Sequence, residues 1–101
     1  MKYKITNNNG AVQVALEGSL NFAANEDFHG LLDSVVKLSP RSVVFNLAAL
    51  SGIDSVGLGL LYIAQEDLAG INAKLSLASP REGVSRLLEL TEANKTFEIL
   101  A

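Results

Sequence analysis

Polar and apolar residues alternate from Lys2 to Thr6, and then Asn7-Asn8-Asn9-Gly10 breaks the pattern. Asn-Gly accepts the positive φ angles of a tight turn, so the spacing predicts a hairpin. Val12, Val14 and Leu16 resume at period two and give a second strand ending near Gly18. Between Asn21 and Leu38 the period changes. Phe28, Leu31, Leu32, Val35 and Val36 recur at three- and four-residue steps, the stripe of an amphipathic helix that Pro40 stops.

Ser42 to Leu47 carries Val43, Val44 and Phe45 in succession, which suits a strand covered on both faces. Ser51-Gly52-Ile53-Asp54 reads as a loop and Ser55 to Leu68 as a second helix, with Gly70 placed for a left-handed residue just past its end. Lys74 to Leu77 gives a further strand. Ser79-Pro80 then opens a third helix running to about Leu90, and Phe97 to Leu100 is either a last short strand or a docked tail. Strands separated by helices need crossover connections. The fold class is therefore α/β: a mixed four- to five-stranded sheet with helices packed on it.

At 101 residues the chain is long enough for one domain, assigned to residues 1–101, and too short for two. Hydrophobic residues at 49% and charged residues at 19% give a globular balance. The absence of cysteine removes disulfides, thiolate metal sites and a cysteine nucleophile, and fits a reducing cytoplasm. A net charge of −3 and a pI near 5.0 argue against nucleic acid as a partner, because no basic stripe is available to neutralise phosphates. Met1 to Thr6 lacks the apolar region of a signal peptide, and no apolar run is long enough for direct membrane insertion.

Chemistry concentrates in Ile53-Asp54-Ser55-Val56-Gly57-Leu58-Gly59-Leu60-Leu61. Here an acid and a hydroxyl stand where a helix begins. The first N–H groups of a helix lack intrahelical acceptors, and the positive end of its dipole lies there. Asp and Ser at such a place are the ordinary N-cap residues. A phosphate on the hydroxyl would meet the same donors and the same field. Gly57 and Gly59 each cost about 1 kcal/mol against alanine inside a helix, so the pair needs a reason: tight packing on the sheet, or close approach by a partner. They are not a nucleotide fingerprint, for the third glycine of GxGxxG and the P-loop lysine are both missing.

Asp54-Ser55-Val56-Gly57-Leu58-Gly59 closely resembles the D-S-[ST]-G-L-G signature of bacterial anti-sigma factor antagonists of the STAS superfamily. Val43-Val44-Phe45-Asn46-Leu47, Leu50-Ser51-Gly52-Ile53, Gly18-Ser19-Leu20-Asn21, Ala73 to Leu77, Val84 to Leu88 and Leu90-Thr91 resemble the family's other segments in order. The resemblance implies a STAS-like single domain that acts as a partner switch. The unmodified protein binds an anti-sigma factor that is also an ATP-dependent serine kinase, and so frees a sigma factor. Phosphorylation ends the binding and a serine phosphatase resets it. Carried over by position, Ser55 is the phosphoacceptor, with Asp54, Val56, Gly57, Gly59 and Asn21 around it. No cofactor, metal or catalytic residue is implied, and the chain is expected to act as a monomer or weak dimer.

Two positions depart from the pattern. The family's loop aspartate is Asn21 here, and Val56 stands where a second hydroxyl is common, so Ser55 has no adjacent substitute. The expected partner surface combines the Ser19-Leu20-Asn21-Phe22 loop with Leu58, Leu61 and Tyr62. Leu60, Ile63, Ala64 and Leu68 are assigned to the helix's core stripe. The alternative function is a non-switching STAS subunit docked on the ATPase of an ABC transporter, with Ser55 only a helix cap. His29 stands alone, and the acidic pairs Glu26-Asp27 and Glu66-Asp67 read as solvated helix faces.

Overall fold

Asn9 and Gly10 both take positive φ, 53° and 91°, and the Asn7 side chain accepts the Gly10 N–H at 3.0 Å. This turn joins β1 (Lys2–Asn8) to β2 (Ala11–Leu20) as an antiparallel pair in unbroken register. The structure is a computed structural model that describes residues 1–100. After β2 come a short 3₁₀ turn (Phe22–Ala24), α1 (Asn25–Lys37), β3 (Ser42–Ile53), α2 (Ser55–Ala69), β4 (Lys74–Ala78), α3 (Glu82–Leu90), a second 3₁₀ turn and β5 (Glu98–Leu100). The sheet order is β1-β2-β3-β4-β5, and every pairing except β1–β2 is parallel. Three helical crossovers make those parallel neighbours possible.

One buried cluster lies between the sheet and the helices. Val12, Val14 and Leu16 of β2, Val43, Phe45 and Leu47 of β3, and Leu75 and Leu77 of β4 supply its sheet side. Phe28 and Phe45 meet edge to face at 5.9 Å, joining α1 to the sheet centre. Each such side chain contributes roughly 1.5–3 kcal/mol by burial. Val44 is half-buried and outside that cluster, so β3 is sealed on one face and not on two.

Four local expectations change. β3 runs on to Ile53, because Ser19 and Leu20 of β2 pair with Gly52 and Ile53; Ser51 to Ile53 is strand and not loop. The helix expected from Asn21 is a 3₁₀ turn followed by α1 from Asn25. Gly70 is right-handed (φ −62°), and Asn72 takes the left-handed place (φ 60°), which lets the Ala73 N–H return to the Leu68 carbonyl at 2.9 Å. α3 starts at Glu82, not at Ser79-Pro80. Ser79 is left-handed and donates its N–H to the Leu100 carbonyl, and Arg81 is still extended. Phe97–Leu100 resolves into a last strand, Glu98–Leu100.

Candidate functional site

The parallel strands β2 and β3 end side by side, and α2 begins one residue after β3. Register shifts in the β2–β3 pairing, with Gly18 at φ 95°, carry the two strand ends beyond β4. At that rim the Asp54 N–H donates to the Leu20 carbonyl (3.3 Å), tying the α2 entrance to the end of β2. Asp54 is the N-cap: it is extended (φ −114°, ψ −174°), and its Oδ1 accepts the Gly57 N–H at 2.8 Å. Ser55 is then the first helical residue, exposed, and is not the capping group. The Ser55 and Val56 N–H groups stand in the first turn, where no intrahelical acceptor reaches.

Gly57 is buried, and its reason is internal. A Cβ there would collide with the Leu20 carbonyl oxygen and come within 3.0 Å of Ile53 Cγ1. Only a bare α-carbon lets α2 start this close to β2. Gly59 differs, for a Cβ there would meet nothing within 4 Å. A shallow groove of about 190 Å³ beside the cap is lined by Ser19, Leu20, Asn21, Gly52, Ile53 and Asp54. Asp54 supplies the groove's single carboxylate, since Asn21 is neutral. Asn21 is extended before the 3₁₀ turn, and its side chain caps nothing.

The expected contact residues divide sharply. Ser19, Asn21, Phe22 and Tyr62 reach the surface, Phe22 with 73% of its area exposed. Leu20, Leu58 and Leu61 do not: their side chains belong to the buried cluster, so they hold the rim in place and offer no contact surface. Ile63, assigned to the core stripe, is instead 39% exposed, and Val56 is 43% exposed. At 100° per residue Val56, Gly59 and Ile63 fall on one outward row, whereas Gly57, Leu61, Ala64 and Leu68 fall on the inward one. That spacing was present in the sequence, but the all-round apolar character of α2 hid it. Tyr62 is half in and half out, its ring 5.0 Å from that of buried Phe97.

The STAS domain family model matches residues 2–101. The chain belongs to the STAS domain family. It is 29% identical over 86 residues to a STAS-domain containing protein of Pseudomonas aeruginosa strain UCBPP-PA14, covering 85% of this chain and 84% of that one. Its fold is similar to an anti-sigma factor antagonist from Mycobacterium paratuberculosis, with a TM-score of 0.86 at 23% identity over 98% of this chain and 84% of that one. It is similar also to the anti-sigma factor antagonist SpoIIAA in its unphosphorylated form, at TM-score 0.81 and 18% identity over 99% and 89% of the two chains. SpoIIAA of Bacillus is known in a phosphorylated form as well, with TM-score 0.74 and 17% identity over 99% of this chain and 92% of that one.

In this STAS chain the described residues include no group of three or more His, Cys, Asp and Glu placed to hold a metal, and no helix long and apolar enough to cross a membrane. What the rim offers chemically is an accessible hydroxyl at a positive helix end, next to one capping carboxylate. Such a hydroxyl can carry a phosphate without disturbing the core, because the fold uses Asp54 and not Ser55 to close the helix.

Proposed function

We propose that this STAS chain is an anti-sigma factor antagonist whose unphosphorylated form binds an anti-sigma serine kinase in the cytoplasm and is switched off by phosphorylation of Ser55. The observation that carries the reading is the division of labour at the α2 entrance. Asp54 caps the helix, and Ser55 is exposed and free of that duty. The alternative, a constitutive docking subunit of a transporter, gives Ser55 no role beyond a helix cap, and the capping group at this helix start is Asp54.

In the proposed step the Ser55 hydroxyl oxygen attacks the γ-phosphorus of ATP. A Ser55 O–P bond forms, the bond to the bridging oxygen of ADP breaks, and the hydroxyl proton passes to a base on the kinase. The product gains about −1.5 to −2 charges. Those charges meet the first-turn N–H groups and the helix dipole within the protein, so the fold tolerates them. A partner packed over Val56 and Ile63 would instead face a bulky unpaired dianion. Losing about 3 kcal/mol of association lowers affinity by roughly two orders of magnitude. A serine phosphatase that hydrolyses the ester restores binding.

Incubation with the kinase and ATP, followed by mass spectrometry, tests this, with Ser55→Ala as control. One phosphate on Ser55 with loss of kinase binding is expected. Binding without modification would overturn the switch in favour of constitutive docking.

A further inference from the structure

Asn9 is the one asparagine of this chain that is followed by glycine. An asparagine side chain is open to attack by the main-chain nitrogen of the next residue, and glycine, with no side chain, hinders that attack least. Here the nitrogen is within reach. Gly10 lies in the surface turn between β1 and β2, beyond the last strand pair, Asn8 and Ala11, and its N–H goes to the carboxamide of exposed Asn7 at 3.0 Å. Opening such a turn locally costs little free energy. The other asparagines precede larger residues, and Asn46 is engaged besides, its Oδ1 accepting the Ala48 N–H at 2.9 Å.

Arg41 adds a second feature. Its Nη2 donates to the Asn9 main-chain carbonyl oxygen at 2.6 Å, a charge-assisted hydrogen bond, and its own main-chain N–H donates to the Gly10 carbonyl at 2.9 Å. The guanidinium therefore polarises one particular carbonyl of the two that an imide between Asn9 and Gly10 would contain.

We propose that Asn9 is a site of spontaneous deamidation and that Arg41 steers the reaction to isoaspartate. Gly10 N, having lost its proton to solvent base, bonds to Asn9 Cγ. The Cγ–Nδ2 bond breaks and, with a proton from water, ammonia leaves. Water then opens the five-membered imide at one of its two carbonyls. Attack at Cγ breaks the bond to Gly10 N and gives aspartate. Attack at the Asn9 main-chain carbonyl carbon leaves the chain running through Cγ and frees the former main-chain carbonyl as a carboxylate. That second carbonyl is the one Arg41 holds, so the guanidinium stabilises both the oxyanion formed there and the carboxylate that results. The isoaspartyl product adds a negative charge and lengthens the main chain by one carbon inside the turn. Because the Gly10 carbonyl also accepts the Arg41 and Ser42 N–H groups, the change loosens the start of β3 along with the hairpin. The turn lies at the opposite end of β2 from the Ser55 rim, so the reaction is independent of the phospho-switch.

The test ages the full chain in mildly alkaline buffer, folded and in urea, and follows each asparagine by peptide mass spectrometry. Isoaspartate is measured by methyl transfer with a protein isoaspartyl methyltransferase. Folded wild type is expected to convert Asn9 before any other asparagine, with an isoaspartate-to-aspartate ratio about twofold above that in urea. Arg41→Gln is expected to bring the ratio down to the urea value, and Arg41→Lys to keep part of the excess. Faster conversion of another asparagine, or an unchanged Asn9 in the folded chain while the urea sample reacts, would overturn the site. Equal ratios in folded wild type, in urea and in both Arg41 variants would overturn the steering by Arg41 and leave the site standing.

Discussion

Gly57→Ala sets two large effects against each other. Helix propensity favours alanine by about 1 kcal/mol, so a reading of α2 as an isolated helix predicts a gain. The tertiary structure predicts a loss. The new Cβ would overlap the Leu20 carbonyl oxygen, lie 2.7 Å from the Leu20 carbonyl carbon, and press on Ile53 at 3.0 Å. The obstacle is backbone and cannot swing aside. Leu20 is fully buried, and its carbonyl also holds the Asp54 N–H, so β2 has little freedom to retreat. Overpacking of this kind costs about 1–3 kcal/mol. Moving the start of α2 would also disturb the Asp54 cap on Gly57 N–H, another contribution of about 1 kcal/mol. After subtracting the propensity gain, the net destabilisation is about 1–3 kcal/mol. For a chain of this size that lowers the melting temperature by roughly 4–8 °C per kcal/mol. Thermal and urea denaturation followed by circular dichroism would measure it. A Gly57→Ala protein as stable as wild type, or more so, would refute the packing argument.

Two further outcomes follow from the same geometry. Asp54→Ala should cost about 1 kcal/mol through loss of the cap, with Asp54→Asn retaining most of it, whereas Ser55→Ala should change stability by less than about 0.5 kcal/mol; equal losses for Asp54→Ala and Ser55→Ala in denaturant titrations would contradict the assigned cap. At the sheet edge, Lys74 lies 2.8 Å from Glu98, and its hydrogen bond and charge, with a smaller contribution from the Ser76 hydroxyl, hold the Glu98 carboxyl below its ordinary value. A carboxyl lowered by folding stabilises above its unfolded-state pKa, and the effect is lost as pH falls through the folded value. A carbon-13 NMR titration should therefore find the Glu98 midpoint below the ordinary glutamate range and, in Lys74→Ala, back within it.

Much of this protein is local, and local features were legible. The Asn9-Gly10 turn, the period-two strand at Val12–Leu16 and the three-to-four-residue stripe of α1 each follow from steric preferences or from burial of one face. So does the acid–hydroxyl entrance to α2, since helix starts need acceptors for orphan N–H groups whatever lies around them. Other features depended on neighbours distant in sequence. That β3 extends to Ile53 was decided by β2, whose Ser19 and Leu20 supply its pairing partners. The delay of α3 to Glu82 came from Ser79 bonding to Leu100, which is 21 residues away. Within α2 the apolar residues run nearly all round, so periodicity could not say which of them face the sheet; packing buried Leu58 and Leu61 and left Val56 and Ile63 outside. Gly57 and Gly59 look alike in sequence, two apart in one helix. Only the approach of the Leu20 carbonyl to one of them, and empty space beside the other, separates a glycine the fold cannot do without from one it does not need.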